Sequence, residues 1–526
     1  MTTNPTAPET TTDVLIIGAG PTGLALACDL ARRGVSCHIL ERAAQPSTAS
    51  RAKTIQPRTL EVADDLGVIE QVLAQGLTNI PTRHYDRDRV VSEAVELAGG
   101  ESTPDAPYPP VWLSQPKFEQ ILRERLAALG GTIHTGAEVS ALEQDDHGVT
   151  ATVQTEAGQH TVHARYAVGA DGGRSTVRAL TGIEMHGTSL TDQRWHLGDV
   201  RVSGLSRHCQ HLWTGKDGLL SLFPLPGTDL WQFQAGIPAD VIEPEAPSLE
   251  LFRRIFADRA DVPGVQIEDV EWLSLYKINV VLADHYRTGR IFIAGDAAHI
   301  HSPAGGQGMN TGIQDGYNLG WKLAAVLAGA DPTLLDTYEP ERRPVARNVL
   351  DDSTTRLGRV MRAIGESDGS SAQQGLTDEH TTGLGITYPD SALTHGPGAG
   401  GRAPDAPCHD AATGRPTRLF DLMRGPHWTL LSFGAMAAPQ RLPRGLRAFQ
   451  VTSDPIAGPG TNPGTVTDTG TGTGTGTVID TDGHAHHAYQ ITGDELILIR
   501  PDGYLAARRP THDLDAVLAL HTTNGL

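Results

Sequence analysis

The chain has 526 residues, more than one ordinary hydrophobic core accommodates, so two or three domains are expected. Its formal charge of −20 argues against a nucleic-acid or anionic-membrane partner, and no apolar run of about 18 residues offers a membrane span. Four scattered cysteines (Cys28, Cys37, Cys209 and Cys408) form no CxxC, which suits a reducing, cytoplasmic compartment and gives no dithiol or zinc signal.

In chain order, residues 1–12 (MTTNPTAPETTT) lack both basic residues and an apolar run, and read as a disordered tail rather than a signal peptide. Val14–Ile17 then predict a buried parallel strand. Gly18, Gly20 and Gly23 form GxGxxG at its end, with Pro21 and Thr22 inside the turn. A helix follows to about Arg33, and a second strand, SCHILE, ends at Glu41. Strand, turn, helix, strand and terminal acid together make a strong dinucleotide fingerprint. A glycine without Cβ lets a pyrophosphate approach the backbone, and the helix N-terminus offers unpaired N–H groups. This motif does not by itself choose between FAD and NAD(P).

Two later stretches repeat the pattern of strand, glycine turn and helix. YAVGADGGRSTVRAL (166–180) carries Asp171 after its strand. RIFIAGDAAHIHSPAGGQGMN (290–310) ends its strand in Gly295-Asp296, and a small-residue loop leads into a helix from about Asn310. Between them, LLSLFPLPGTDLWQFQAGIP (219–238) reads as strands joined by a Pro-Gly turn. Sheet core is the plainer reading for each aromatic there. The histidines of RHCQH (207–211) and HAHH (484–487) have no closed ligand set, so no metal is expected. GPGAGG (396–401) lacks a preceding strand and reads as a linker, and GESDG around Ser367 lacks the strand a nucleophile elbow needs.

The three motifs, with SRAKTIQPRTLEV (50–62), resemble the single-component FAD-dependent aromatic hydroxylases, the para-hydroxybenzoate hydroxylase family. Among these the actinomycete aromatic polyketide hydroxylases are nearest, and the likeness runs over nearly the whole chain. The resemblance implies FAD as cofactor, NADPH or NADH as transient co-substrate, and O2. It implies FAD contacts from Gly18, Gly20, Pro21, Thr22, Gly23, Glu41, Arg42, Arg51, Gln115, Val139, Asp171, Gly295, Asp296, Pro303, Gly306, Gly308, Met309 and Asn310. Glu41 would hold the adenosine ribose, Arg51 the pyrophosphate region and Asp296 the ribityl chain, with 303–310 lying along the isoalloxazine. Substrate contacts are expected from Trp213, Phe223, Trp231, Phe233 and Tyr276, with no catalytic base assigned.

The implied fold is α/β. A Rossmann-like FAD-binding domain spans 13–180 and 280–390, a β-sheet substrate domain 181–279, and a thioredoxin-like C-terminal α/β domain 395–526 with a low-complexity loop at 459–483. The implied reaction is hydroxylation of a polycyclic aromatic, polyketide-type phenol through a flavin C4a-hydroperoxide, in antibiotic biosynthesis. Baeyer–Villiger oxidation, epoxidation and a non-catalytic flavoprotein remain as alternatives. A halogenase would need WxWxIP, where the chain has WQFQAGIP. The oligomeric state is open, a homodimer being one option.

Overall fold

The run Val14–Ile17 is at most 6% exposed and closes β1 (Thr10–Ile17), because a parallel strand covered on both faces carries no polar alternation. The structure, a computed structural model, describes residues 10–95, 102–215, 218–238, 240–301, 306–365, 379–434, 442–453 and 475–525. β1 pairs in parallel with β2 (Cys37–Glu41) and β10 (Gly158–Gly169), and β10 pairs with β17 (Ile291–Ile293). With β7 (Thr132–Thr135) beyond β2, these form the parallel heart of an eight-stranded sheet. All three glycine motifs therefore leave from the same end of one parallel array.

Helix α1 (Pro21–Arg32) packs on α7 (Gly308–Leu327). Gly312, Gly316 and Gly320 recur on one face of α7, and a methyl at any of them would fall 2.5–2.9 Å from Thr22 or Asp29 of α1. Much of the small-residue pattern after Asp296 is thus spent on helix packing. The buried Asp29 is tolerable because Arg32 and Arg33 pair with it at 2.7 and 3.0 Å.

A second eight-stranded sheet contains β11 (Met185–Ser203), β12 (Gln210–Gly215), β13 (Gly218–Pro224), β14 (Leu230–Ile237) and β15 (Gln266–Ala283). It also takes in β4 (Pro81–Asp86), β5 (Arg89–Val95) and β18 (His299–Ile300), which the domain boundaries had assigned to the first unit. Helix α6 (Leu249–Arg259) covers one face through Leu251, Phe252, Ile255 and Phe256.

A third sheet has seven strands, from β19 (Pro407–Asp410) to β25 (Leu505–Pro510). It docks on the first unit through Glu341 of α8 (Tyr338–Gly365), which accepts from Lys322 at 2.7 Å and from Arg500 at 2.7 and 2.9 Å.

Two boundaries need correction. The tail expected over 1–12 gives way to β1 at Thr10, where Thr10–Thr12 pair with Val162–Ala164; residues 1–9 lie outside the described residues. In the segment read as a loop, Thr475–Ile479 form β23, held between neighbouring strands (Leu446–Thr452 and β19), because the β-branched Thr475, Thr477, Val478 and Ile479 suit a paired strand. Residues 459–474 and Ser367 lie outside the described residues. No helix among the described residues is long and apolar enough to cross a membrane.

Candidate active site

Two of the first three glycines serve the chain itself. A Cβ on Gly18 would meet the Ala170 carbonyl oxygen at 2.3 Å, and one on Gly23 would meet the Gly18 oxygen at 2.1 Å. A Cβ on Gly20 would meet nothing within 4 Å. Gly20 is also the N-cap of α1, no side chain caps that helix end, and Pro21 opens it. An open backbone at an uncapped N-terminus is suited to an anionic ligand.

Glu41 stands beside this turn, its carboxylate accepting the Ala19 N–H and the Ala43 N–H, both at 2.9 Å. Arg42 is exposed next to it, and Val139 is packed into the main core. Arg123, from α4 (Gln115–Ala128), donates to the Ala19 carbonyl at 2.8 Å. Sequence reading passed over Arg123. Its signal is helical spacing, since Gln115, Glu119 and Arg123 fall on one face of α4.

The opposite wall is the segment from Ser50 into β3 (Thr54–Ile55) and α2 (Pro57–Asp65). Gln115 fixes it by accepting the Ala52 N–H at 3.3 Å and donating its own backbone N–H to the Ala52 carbonyl at 2.9 Å. Arg51 is exposed. Asp296 follows β17 and reaches solvent while ringed by protein, which raises its carboxyl above the ordinary range against the pull of His299 and Arg51. Tyr276 is pushed up to about 12 by burial and by Asp296, with Arg51 acting the other way. Arg51, Asp296 and Tyr276 thus lie within electrostatic reach of one another.

Gly295 has φ 62°, donates its N–H to Asp315 at 3.0 Å, and packs against Thr22. Asp315 is buried, bonded to His299 at 2.6 Å and Arg342 at 2.7 Å, and these partners hold its carboxyl below the usual range despite burial. Gly308 borders open space, whereas a Cβ on Gly306 (φ 62°) would touch Thr54 at 3.6 Å; Met309 is half-buried, and Asn310 is buried. Pro303 lies outside the described residues. Asp171 spends both carboxylate oxygens on its own chain, accepting from Ser175 Oγ at 2.5 Å and from the Thr176 and Val177 N–H groups.

The five aromatics expected at the substrate divide between the sheet's two faces. Trp213, Trp231 and Phe233 face α6 in a closed apolar cluster, with Phe233 stacked on Phe252 at 4.3 Å. This corrects the expectation that those three line a substrate cavity. Phe223 and Tyr276 lie on the opposite face, which meets the segment at Ser50; Phe223 is buried there, its ring 4.8 Å from Trp112. Sequence reading also missed Lys53, Asp199 and Gln232 on that boundary. Lys53 Nζ donates to Gln232 Oε1 at 2.9 Å, and the Ser50 N–H donates to Asp199 at 2.8 Å. His211 is consumed structurally, its Nε2 donating to the Ser206 carbonyl at 2.8 Å while Nδ1 accepts from Tyr85.

Comparison with known proteins puts this architecture in context. The family model described as an FAD binding domain matches residues 11–353. The chain is 38% identical to a flavin-dependent monooxygenase of Mycobacteroides abscessus over 94% of this chain and 96% of that one. It is 35% identical to 6-methylpretetramide 4-monooxygenase of Streptomyces rimosus over 94% and 90%. The structure of aklavinone-11 hydroxylase with FAD and aklavinone superposes with a TM-score of 0.79 at 26% identity, covering 99% of this chain and all of that one. A matched cofactor domain together with near-full-length relatedness assigns the chain to the FAD binding domain family, as an FAD-dependent monooxygenase.

Proposed function

We propose that the chain hydroxylates a polycyclic aromatic phenol of the polyketide type, with NAD(P)H as hydride donor and O2 as co-substrate. The observation that carries this is the open backbone at Gly20 and Gly308 on two of the glycine turns, with exposed Asp296 in electrostatic reach of Arg51 and Tyr276. The residues fit FAD. Gly20 and Gly308 leave room at the backbone, and the α1 N-terminus has no side-chain cap. Glu41 would hold the ribose, Arg51 the pyrophosphate region, and Asp296 the ribityl hydroxyls. Asp171 and Asp315 would act at one remove, by capping a helix and by fixing Gly295.

When bound, FAD supplies hydride acceptance and oxygen activation. The chain's own part is to orient a flat ring against the half-buried Tyr276 and to keep water out. The likeness to 6-methylpretetramide 4-monooxygenase and aklavinone-11 hydroxylase supports the substrate class. We take the third sheet and its helices as a thioredoxin-like domain with a structural role.

The test is NADPH and NADH oxidation by the purified yellow protein, with and without polycyclic phenols, followed by product mass. Stimulated oxidation with a product heavier by one oxygen supports hydroxylation. Oxygen inserted beside a carbonyl would favour Baeyer–Villiger chemistry, and oxidation that no phenol stimulates would count against this substrate class.

A further inference from the structure

Lys53 is a half-buried amine at the seam between the cofactor-side segment and the second sheet. Its neighbour Thr54 is held on the other side, where its carbonyl accepts from Asn310 at 3.0 Å. Nζ lies 2.9 Å from Gln232 Oε1 and 4.9 Å from the centre of the Phe223 ring, which itself rests on Trp112. Phe223 itself is closed off, so the apolar face a ring could meet beside this amine is the half-buried Trp112 lying against it, and an apolar face edged by an amine is complementary to a ring bearing a hydroxyl.

The polar surroundings leave that amine hydrogen-bonding capacity. Asp199 of β11 is the charged group facing it, yet both Asp199 oxygens are engaged by Ser50, through the backbone N–H at 2.8 Å and through the hydroxyl. β13 and β14 present Phe223 and Gln232. Glu271 acts on Asp199 rather than on Lys53. Among the described residues Lys53 forms no ion pair, and Gln232 accepts only one of its hydrogens.

We propose that Lys53 receives the phenolic hydroxyl of the substrate and takes its proton, an assignment that rests on the phenol reading above. The phenol O–H bond breaks, an Nζ–H bond forms, and a neutral pair becomes an ammonium–phenolate pair with no change of oxidation state. The phenolate is the more electron-rich ring and the better acceptor of an electrophilic oxygen. Burial supports this exchange by lowering the Lys53 ammonium to about 7, against the opposing field of Asp199. The free amine is then accessible at neutral pH.

The test uses the FAD-loaded protein with 1,8-dihydroxyanthraquinone, whose visible band reports its ionisation, bound to the unaltered protein, Lys53→Met and Lys53→Arg. The proposal expects the bound probe to ionise at lower pH than in solution. It expects the phenolate-to-phenol ratio at neutral pH to fall about tenfold in Lys53→Met with the probe still bound. Lys53→Arg, a permanent cation, should restore the phenolate band. A merely structural lysine would change binding or melting temperature without changing the ionisation of bound probe. Ionisation in Lys53→Met equal to that of the unaltered protein overturns the assignment to Lys53. Failure of the FAD-loaded, unaltered protein to bind the probe would instead overturn the phenol reading, and this assignment with it.

Discussion

Asn310 holds the Gln56 backbone, its side-chain oxygen accepting the Gln56 N–H at 2.9 Å. The same amide donates to the carbonyls of Thr54 at 3.0 Å and Gly306 at 2.7 Å, so one buried side chain joins the Thr54 segment to the loop at Gly306. Asn310→Ala would leave those groups without this partner. It should cost about 1–3 kcal/mol, read by chemical denaturation, and weaken FAD binding, read by titration of the apoprotein.

Gly20→Val should leave the FAD-free fold intact, because its side chain enters open space, while FAD retention is lost. Gly18→Ala should unfold the chain instead, since the new methyl meets the Ala170 oxygen at φ +106°. Melting temperature and the flavin-to-protein absorbance ratio separate the two outcomes. A yellow, stoichiometric Gly20→Val protein would contradict the role given to that turn.

The two faces of the second sheet should answer differently. Phe233→Ala empties a closed cluster and should cost about 3–5 kcal/mol. Tyr276→Phe should leave stability within about 0.5 kcal/mol and change substrate-stimulated NAD(P)H oxidation. Equal effects on stability would show that the faces had been wrongly distinguished.

Glu341→Gln should loosen the third unit. Lys322 and Arg500 are buried and share this carboxylate, and since Asp502 also pairs with Arg500, its loss leaves one interior positive charge unbalanced. About 3–5 kcal/mol of stability should disappear in denaturant melts. A loss below about 1 kcal/mol would mean that the ionic cluster is not what holds the interface.

Stability should also fall in mild acid. Burial lowers both His427 and His521 to about 4, so each is neutral when folded and takes up a proton on unfolding below its ordinary 6.5. Their contribution is full above 6.5 and lost as pH falls towards about 4, on the order of 3 kcal/mol each. Replacing both with apolar residues should flatten that part of the stability–pH curve.

What the sequence made legible was local. Gly18, Gly20, Gly23 and Glu41 sit within one strand–helix–strand unit, so spacing alone revealed their grouping. It could not separate their tasks, because Gly18 packs on Ala170, far along the chain. The two faces of the aromatic sheet became distinct only once α6 covered Trp213, Trp231 and Phe233. Lys53 went unnoticed because its position depends on Gln232, 179 residues away. The Thr475–Ile479 strand was hidden by its Thr-Gly composition, which resembles a linker until neighbouring strands pair with it.

Hydroxylation is tested most directly with isotopically labelled O2, supplied to the FAD-loaded protein with NAD(P)H and a polycyclic phenol. The expected product carries one labelled oxygen on an aromatic carbon and forms only when phenol and reduced nicotinamide are both present. A product whose new oxygen comes from water, or NAD(P)H oxidation that yields only labelled peroxide with every phenol, would contradict it.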